Sequence, residues 1–227
     1  IWAAVPLINT FYFSQVPLRT LQEEAQGLPI RKLAGMRIFW IMLLMMLCAG
    51  ASEQAVIQWA SAFAEAGLGV TKTVGDLAGP CAFALLMGAA RVFYAKCSER
   101  IRLLPFMLFS TLLCIASYLL ISLSSSPVLS LLGCALCGLS VGILWPGTFS
   151  IAAKEIRAGG TALFALLALA GDLGCSTGPT LVGFVSGAFR DNLKIGILSA
   201  ILFPLLLILC LGLYTLYKKS KSKGTVQ

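Results

Sequence analysis

The segment LPFMLFSTLLCIASYLLISL (residues 104–123), the turn SSSP, and the segment VLSLLGCALCGLSVGILWPGTFSIA (residues 128–152) decide the fold class. A helix rises about 1.5 Å per residue and a bilayer's hydrocarbon layer is about 30 Å thick, so each segment is long enough to cross. The short turn then forces the two helices to run antiparallel. Outward from this pair the pattern repeats, with apolar stretches of crossing length at 37–63, 74–95, 160–187 and 195–217. The expectation is an all-α membrane protein, a bundle of six transmembrane helices over 37–217.

Residues 1–14 (IWAAVPLINTFYFS) are apolar but too short to cross alone, and read as the end of a transmembrane helix that begins before Ile1. No basic start or small-residue cleavage site marks them as a secretory signal. Residues 15–36 form the one long polar connection, an inter-domain linker in which Thr20 and Glu23 suit a capping box ahead of a break at Gly27-Leu28-Pro29. Residues 218–227 are a basic tail.

Orientation follows from the cations. Of the 17 Lys and Arg residues, only Lys72, Arg190 and Lys194 fall on one set of connections. The rest flank alternate connections: Arg19, Arg31, Lys32 and Arg37; Arg91, Lys96, Arg100 and Arg102; Lys154 and Arg157; and the lysines at 218, 219, 221 and 223. The positive-inside bias places the linker, the 96–103 and 153–159 loops and the tail in the cytoplasm, as expected for a multi-pass protein of the cell membrane. The net charge of +8 is therefore juxtamembrane. Without aromatic and basic residues interleaved, it argues for contact with anionic lipid and against nucleic acid.

The chain has no histidine, which removes imidazole acid/base catalysis and His metal ligands. All eight cysteines except Cys97 lie in the expected spans, where a thiol packs as a small hydrophobe; Cys134 and Cys137 have CxxC spacing but no second ligand pair. No metal and no cofactor is implied, and an integral-membrane enzyme is disfavoured. Gly138-x-x-x-Gly142 and Gly174-x-x-x-Gly178 offer small faces for close helix contact. Gly75-Asp76-Leu77-Ala78-Gly79-Pro80 is echoed by Gly171-Asp172-Leu173-Gly174 and Gly178-Pro179, as an inverted repeat of three-helix units would give.

Polar groups at membrane depth are expensive and nominate function. Glu53, Gln54, Gln58 and Trp59 in the first span offer a carboxylate and two amides one turn apart beside an aromatic platform, suited either to a polyhydroxylated solute or to an interhelical clasp. Asp172 in the fifth span could carry a proton, bind a solute or hold another helix. Trp145 could line a pathway or anchor at the interface, and Asp76 is either a cavity residue or a helix-terminal acid favoured by the dipole. Pro146 with Gly147, and Pro179, are hinge or kink positions because proline cannot donate to the helix ladder. Gly88, Arg91, Glu99, Arg100 and Arg102, at the end of the second span and in the loop after it, are candidates for a cytoplasmic latch.

The six spans after a polar linker resemble the C-terminal half of a major facilitator superfamily transporter, from the tail of its sixth helix to the end of its twelfth. The loose glycine, acidic and basic pattern of Gly88, Arg91, Glu99, Arg100 and Arg102 resembles the loop after that family's eighth helix. The usual second glycine and adjacent aspartate are absent. The runs Gly138–Gly147 and Phe164–Gly174 resemble bacterial members related to the fucose/sugar:proton symporters. The resemblance implies alternating-access transport of a small polar solute, a sugar among the candidates, with a proton as candidate coupling ion and a missing N-terminal six-helix half as partner. A non-transporting scaffold or receptor is the rival reading.

Overall fold

The computed structural model describes residues 4–16, 27–67 and 71–224, and within them the regular structure is entirely helical. Residues 17–26, with the Thr20–Glu23 capping box, lie outside the described residues, as does the side chain of Asp76. Six helical stretches are long and apolar enough to cross a membrane: Arg37–Glu65, Lys72–Cys97, Leu103–Leu123, Pro127–Glu155, Gly160–Ala188 and Leu193–Ser220, the first to sixth spans below. Ahead of them are the helix Ala4–Ser14, with no buried residue, and the short helix Ile30–Ala34, anchored by buried Leu33. The last helix continues through Lys218 and Lys219 to Gly224, so part of the basic tail is helical.

Proline position explains most of the breaks within spans. A proline at i leaves the carbonyl at i−4 without its helical donor. The fourth span is accordingly two helices, Pro127–Val141 and Leu144–Glu155, parting at Gly142-Ile143 one turn before Pro146. The sixth parts at Ala200-Ile201 before Pro204, where the Phe203 N–H donates to the Ala200 carbonyl at 3.1 Å. In the second span a π-helical turn, Leu77–Cys81, absorbs Pro80 by shifting the pairing along the chain. Pro179 behaves differently, because the fifth span stays helical from Gly160 to Ala188. The two halves of the Gly-Asp-Leu echo thus have different local geometry at their Gly-Pro ends. The first span also breaks, without a proline, at Gln58-Trp59 between Arg37–Ile57 and Ala60–Ala62.

The first span is the hub, packed against the fourth, fifth and sixth, while the second and third spans pack on the fourth. Lipid gives helices little hydrophobic reason to associate, so close backbone approach carries much of the contact. Gly50 faces the Gly171 carbonyl, Gly174 faces the Leu47 carbonyl, and a methyl at Gly178 would sit 2.5 Å from the Ala51 carbonyl oxygen. Gly138 likewise abuts the Phe83 carbonyl, and a methyl at Gly142 would lie 2.9 Å from the Met87 carbonyl oxygen. Both Gly-x-x-x-Gly faces seen in the sequence are helix contacts.

Hydroxyls inside the bundle bond mainly to their own helix, as Thr111 Oγ1 does to the Met107 carbonyl at 2.8 Å and Thr148 Oγ1 to the Leu144 carbonyl at 2.7 Å. Tyr118 instead crosses from the third span to the first, its hydroxyl donating to the Ser52 carbonyl at 2.9 Å. At the ends of the bundle, Asn192 caps Leu193–Ser199 by accepting from the Lys194 and Ile195 N–H groups. Gly160, at φ +59°, packs its backbone on Gly27, and the Leu28 N–H donates to the Ala158 carbonyl at 2.8 Å.

If this glycine seam holds the bundle, Gly174→Val should lower the apparent unfolding temperature of the purified protein, an overpacking cost of about 1–3 kcal/mol. Gly212→Ala should not lower it, since a methyl there meets nothing within 4 Å and alanine favours the helix. Thermal unfolding in detergent checks both.

Candidate functional site

Glu53 sits near the end of the helix Arg37–Ile57, next to buried Ser52 and Ala51. The close approach of the second span to Gly138 and Gly142 brings Arg91 to it. Its Nη2 lies 3.8 Å from Glu53 Oε2, with the Glu53 side chain 15% exposed and that of Arg91 44% exposed. This is the one ion pair found among the described residues. Arg91 Nε also donates, at 3.3 Å, to the Gly142 carbonyl, the very group that Pro146 leaves without a helical donor.

Trp145 enters from the first turn after the break in the fourth span. Its indole lies over the fifth span where a methyl at Gly171 would be 2.5 Å from Cη2, so the glycine makes room for the ring. Phe149, one turn on, stands 6.3 Å from Trp145 between ring centroids and 5.9 Å from Phe164. Glu53, Arg91, Trp145, Pro146, Phe149 and Cys175 line a cavity of about 490 Å³, within the range of small-molecule sites. A larger cavity and two smaller ones lie elsewhere, and their walls are predominantly apolar.

Two polar atoms at this cavity are buried without a hydrogen-bond partner, Glu53 Oε2 and Trp145 Nε1. The 3.8 Å ion pair is too long to count as a hydrogen bond for the carboxylate. Orphaned buried polar atoms are costly and uncommon, and they need a reason. Here the acceptor is a carboxylate and the donors are an indole N–H and a guanidinium, with aromatic faces beside them. A hydroxyl group, which donates and accepts at once, is complementary to that set.

The remaining sequence candidates are distributed elsewhere. Trp59 donates from Nε1 to the Pro179 carbonyl at 3.0 Å and packs on Gly183. It meets the fifth span eight to twelve residues beyond Gly171, about 12–18 Å along a helix. Gln58 is exposed at the break beside it and Gln54 is half-buried, and none of the three lines the Glu53 cavity. Asp172 is exposed on the fifth span; its carbonyl accepts from Ser176 Oγ at 3.2 Å, and it does not line the cavity. Asp76 ends the helix Lys72–Asp76.

Of the residues grouped with the loop, Arg91 is turned to Glu53. Gly88 is exposed with open space around it, and Glu99, Arg100 and Arg102 are exposed. A tie between span ends comes from residues that the sequence reading passed over: Tyr214 donates to Glu155 Oε1 at 2.9 Å, linking the sixth span to the fourth. Another joins Lys194 Nζ to the Ser124 carbonyl at 2.6 Å. The sequence reading also missed Cys175 as cavity wall. Its one sequence signal was its place in the turn carrying Gly174 and Gly178.

Among known families, the Major Facilitator Superfamily matches residues 1–179. That superfamily is one of transporters and not of catalysts, and no group of His, Cys, Asp and Glu among the described residues is placed to hold a metal ion. No curated protein and no solved structure matches the chain.

The two indoles should separate by substitution. Trp59→Phe removes a made hydrogen bond and should cost about 1 kcal/mol of stability, whereas Trp145→Phe removes an unpartnered donor and should cost less. Thermal unfolding of the two variants in the same detergent checks the order.

Proposed function

Because the chain belongs to the Major Facilitator Superfamily, we propose that it forms the C-terminal six-helix half of a secondary active transporter. It would move a small polar solute by alternating access between two halves, the N-terminal six-helix half being its partner. The observation that carries this reading is the cavity of about 490 Å³ at membrane depth where Glu53, Arg91 and Trp145 converge with an unpartnered carboxylate oxygen and an unpartnered indole N–H.

The charges at the cavity cancel, one carboxylate against one guanidinium, which favours a solute without net charge. Hydroxyl groups able to bridge Glu53 and Trp145, with an apolar face for the Trp145 and Phe149 rings, make a polyol or sugar the best fit. Glu53 is the leading carboxylate for a coupling proton and Asp172 the second. The concentration of Lys and Arg at one end of the bundle supports a cell-membrane orientation with that end and the C-terminus in the cytoplasm.

The test is uptake of polyols and sugars by the complete transporter in proteoliposomes, with and without an inward proton gradient. Glu53→Gln should lower gradient-driven uptake about tenfold or more, the scale of one lost hydrogen bond to a charged group. Asp172→Asn should have the smaller effect. Undiminished uptake in Glu53→Gln at matched protein levels would overturn the site.

A further inference from the structure

Arg91 serves two masters. Its Nε holds the Gly142 carbonyl that Pro146 deprives of a helical donor, and its Nη2 faces Glu53 at 3.8 Å. The same side chain therefore touches the cavity's carboxylate and the backbone at the break in the fourth span. Gly138 and Gly142 make this reach possible, since their missing side chains let the second span lie against the fourth at Phe83, Met87 and Ala90.

We propose that Arg91 is a positioning residue that couples the charge of Glu53 to the bending freedom of the fourth span at Gly142-Ile143. The inference rests on the cavity reading above only for what neutralises Glu53. While Glu53 is charged, it keeps the guanidinium over the cavity and hence on the Gly142 carbonyl. When a proton takes up that charge, a cation with 44% of its side chain exposed has lost its counterion and leaves for water. The Gly142 carbonyl then has no partner, and the helix starting at Leu144, which carries Trp145 over Gly171, is free to re-angle. Occupancy on the first span is thereby converted into movement on the fourth, with Arg91 as the two-state element between them. The titratable or charged groups that line the cavity with Arg91 are Glu53 and the Cys175 thiol, and the exposed carboxylate of Asp172 lies one helical turn from Cys175.

The test needs no solute, so its failure is separable from failure of the transport reading. Amide hydrogen exchange over residues 143–149 of the full chain in nanodiscs is compared between wild type, Glu53→Gln, Arg91→Lys and the double variant. Glu53→Gln and Arg91→Lys should each speed exchange there about fivefold, the scale of one net hydrogen bond of about 1 kcal/mol. The double variant should be no faster than either alone, because both act on one bond. Pro146→Ala restores a backbone N–H for the Gly142 carbonyl and should abolish both effects. If Glu53→Gln leaves exchange at 143–149 unchanged while Arg91→Lys alters it, Arg91 is a local brace and the coupling is overturned. Additive effects of the two substitutions overturn it equally. These three variants keep the test decisive even if Pro146→Ala does not fold.

Discussion

Inside a bilayer, every backbone polar group must find its partner within the protein, because no water stands ready to replace a lost helical bond. This chain repeatedly strains that constraint by placing prolines within spans, and at three of them the resolution differs. At Pro204 the Ala200 carbonyl is taken by a nearer backbone donor, Phe203. At Pro80 a π-helical turn moves the pairing along. At Pro146 the Gly142 carbonyl is given to a side chain from another span, and that side chain is a cation. The cation in turn requires an anion, which is Glu53. One missing N–H thus accounts for why charges from two spans meet in an otherwise apolar bundle.

The meeting depends on how tightly the helices approach. Glycines at 138 and 142 seat the second span on the fourth, and those at 50, 174 and 178 seat the first on the fifth. Together they set the positions of Arg91 and Glu53. Gly171 adds the space for the Trp145 ring. Packing by small residues and the polar site are therefore one arrangement: larger side chains at these positions would part the helices that bring the charges together.

The six spans were legible in the sequence because hydrocarbon thickness dictates a length of apolar helix that composition displays directly. The glycine faces were legible for a related reason, since small residues at helical spacing have few other uses in lipid. The site was legible only in part. Glu53 and Trp145 could be nominated as polar groups at depth, but Arg91, with basic neighbours toward the loop, carried the signature of a span end. Only the three-dimensional approach of the second span to Gly142 turns it to the cavity. Trp59 and Gln58 are near Glu53 in sequence, yet they sit at the break that ends its helix, and Trp59 is tied to Pro179 by a hydrogen bond. Asp172 lies one helical turn from Cys175 but is exposed and does not line the cavity.

Transport by this bundle requires the space between Glu53, Arg91 and Trp145 to be an aqueous cavity within the membrane-spanning region. Cys175 lines it, whereas Cys48, Cys114, Cys134, Cys137 and Cys210 are buried in the core. The most direct measurement is labelling of Cys175 in open membranes by a charged, membrane-impermeant thiol reagent, with Cys81 and Cys97 replaced by serine. Cys175 should be labelled in the folded protein while the five buried cysteines are not. A Cys175 that reacts only after denaturation would mean a closed, dry site in which Glu53 and Arg91 merely clasp two helices.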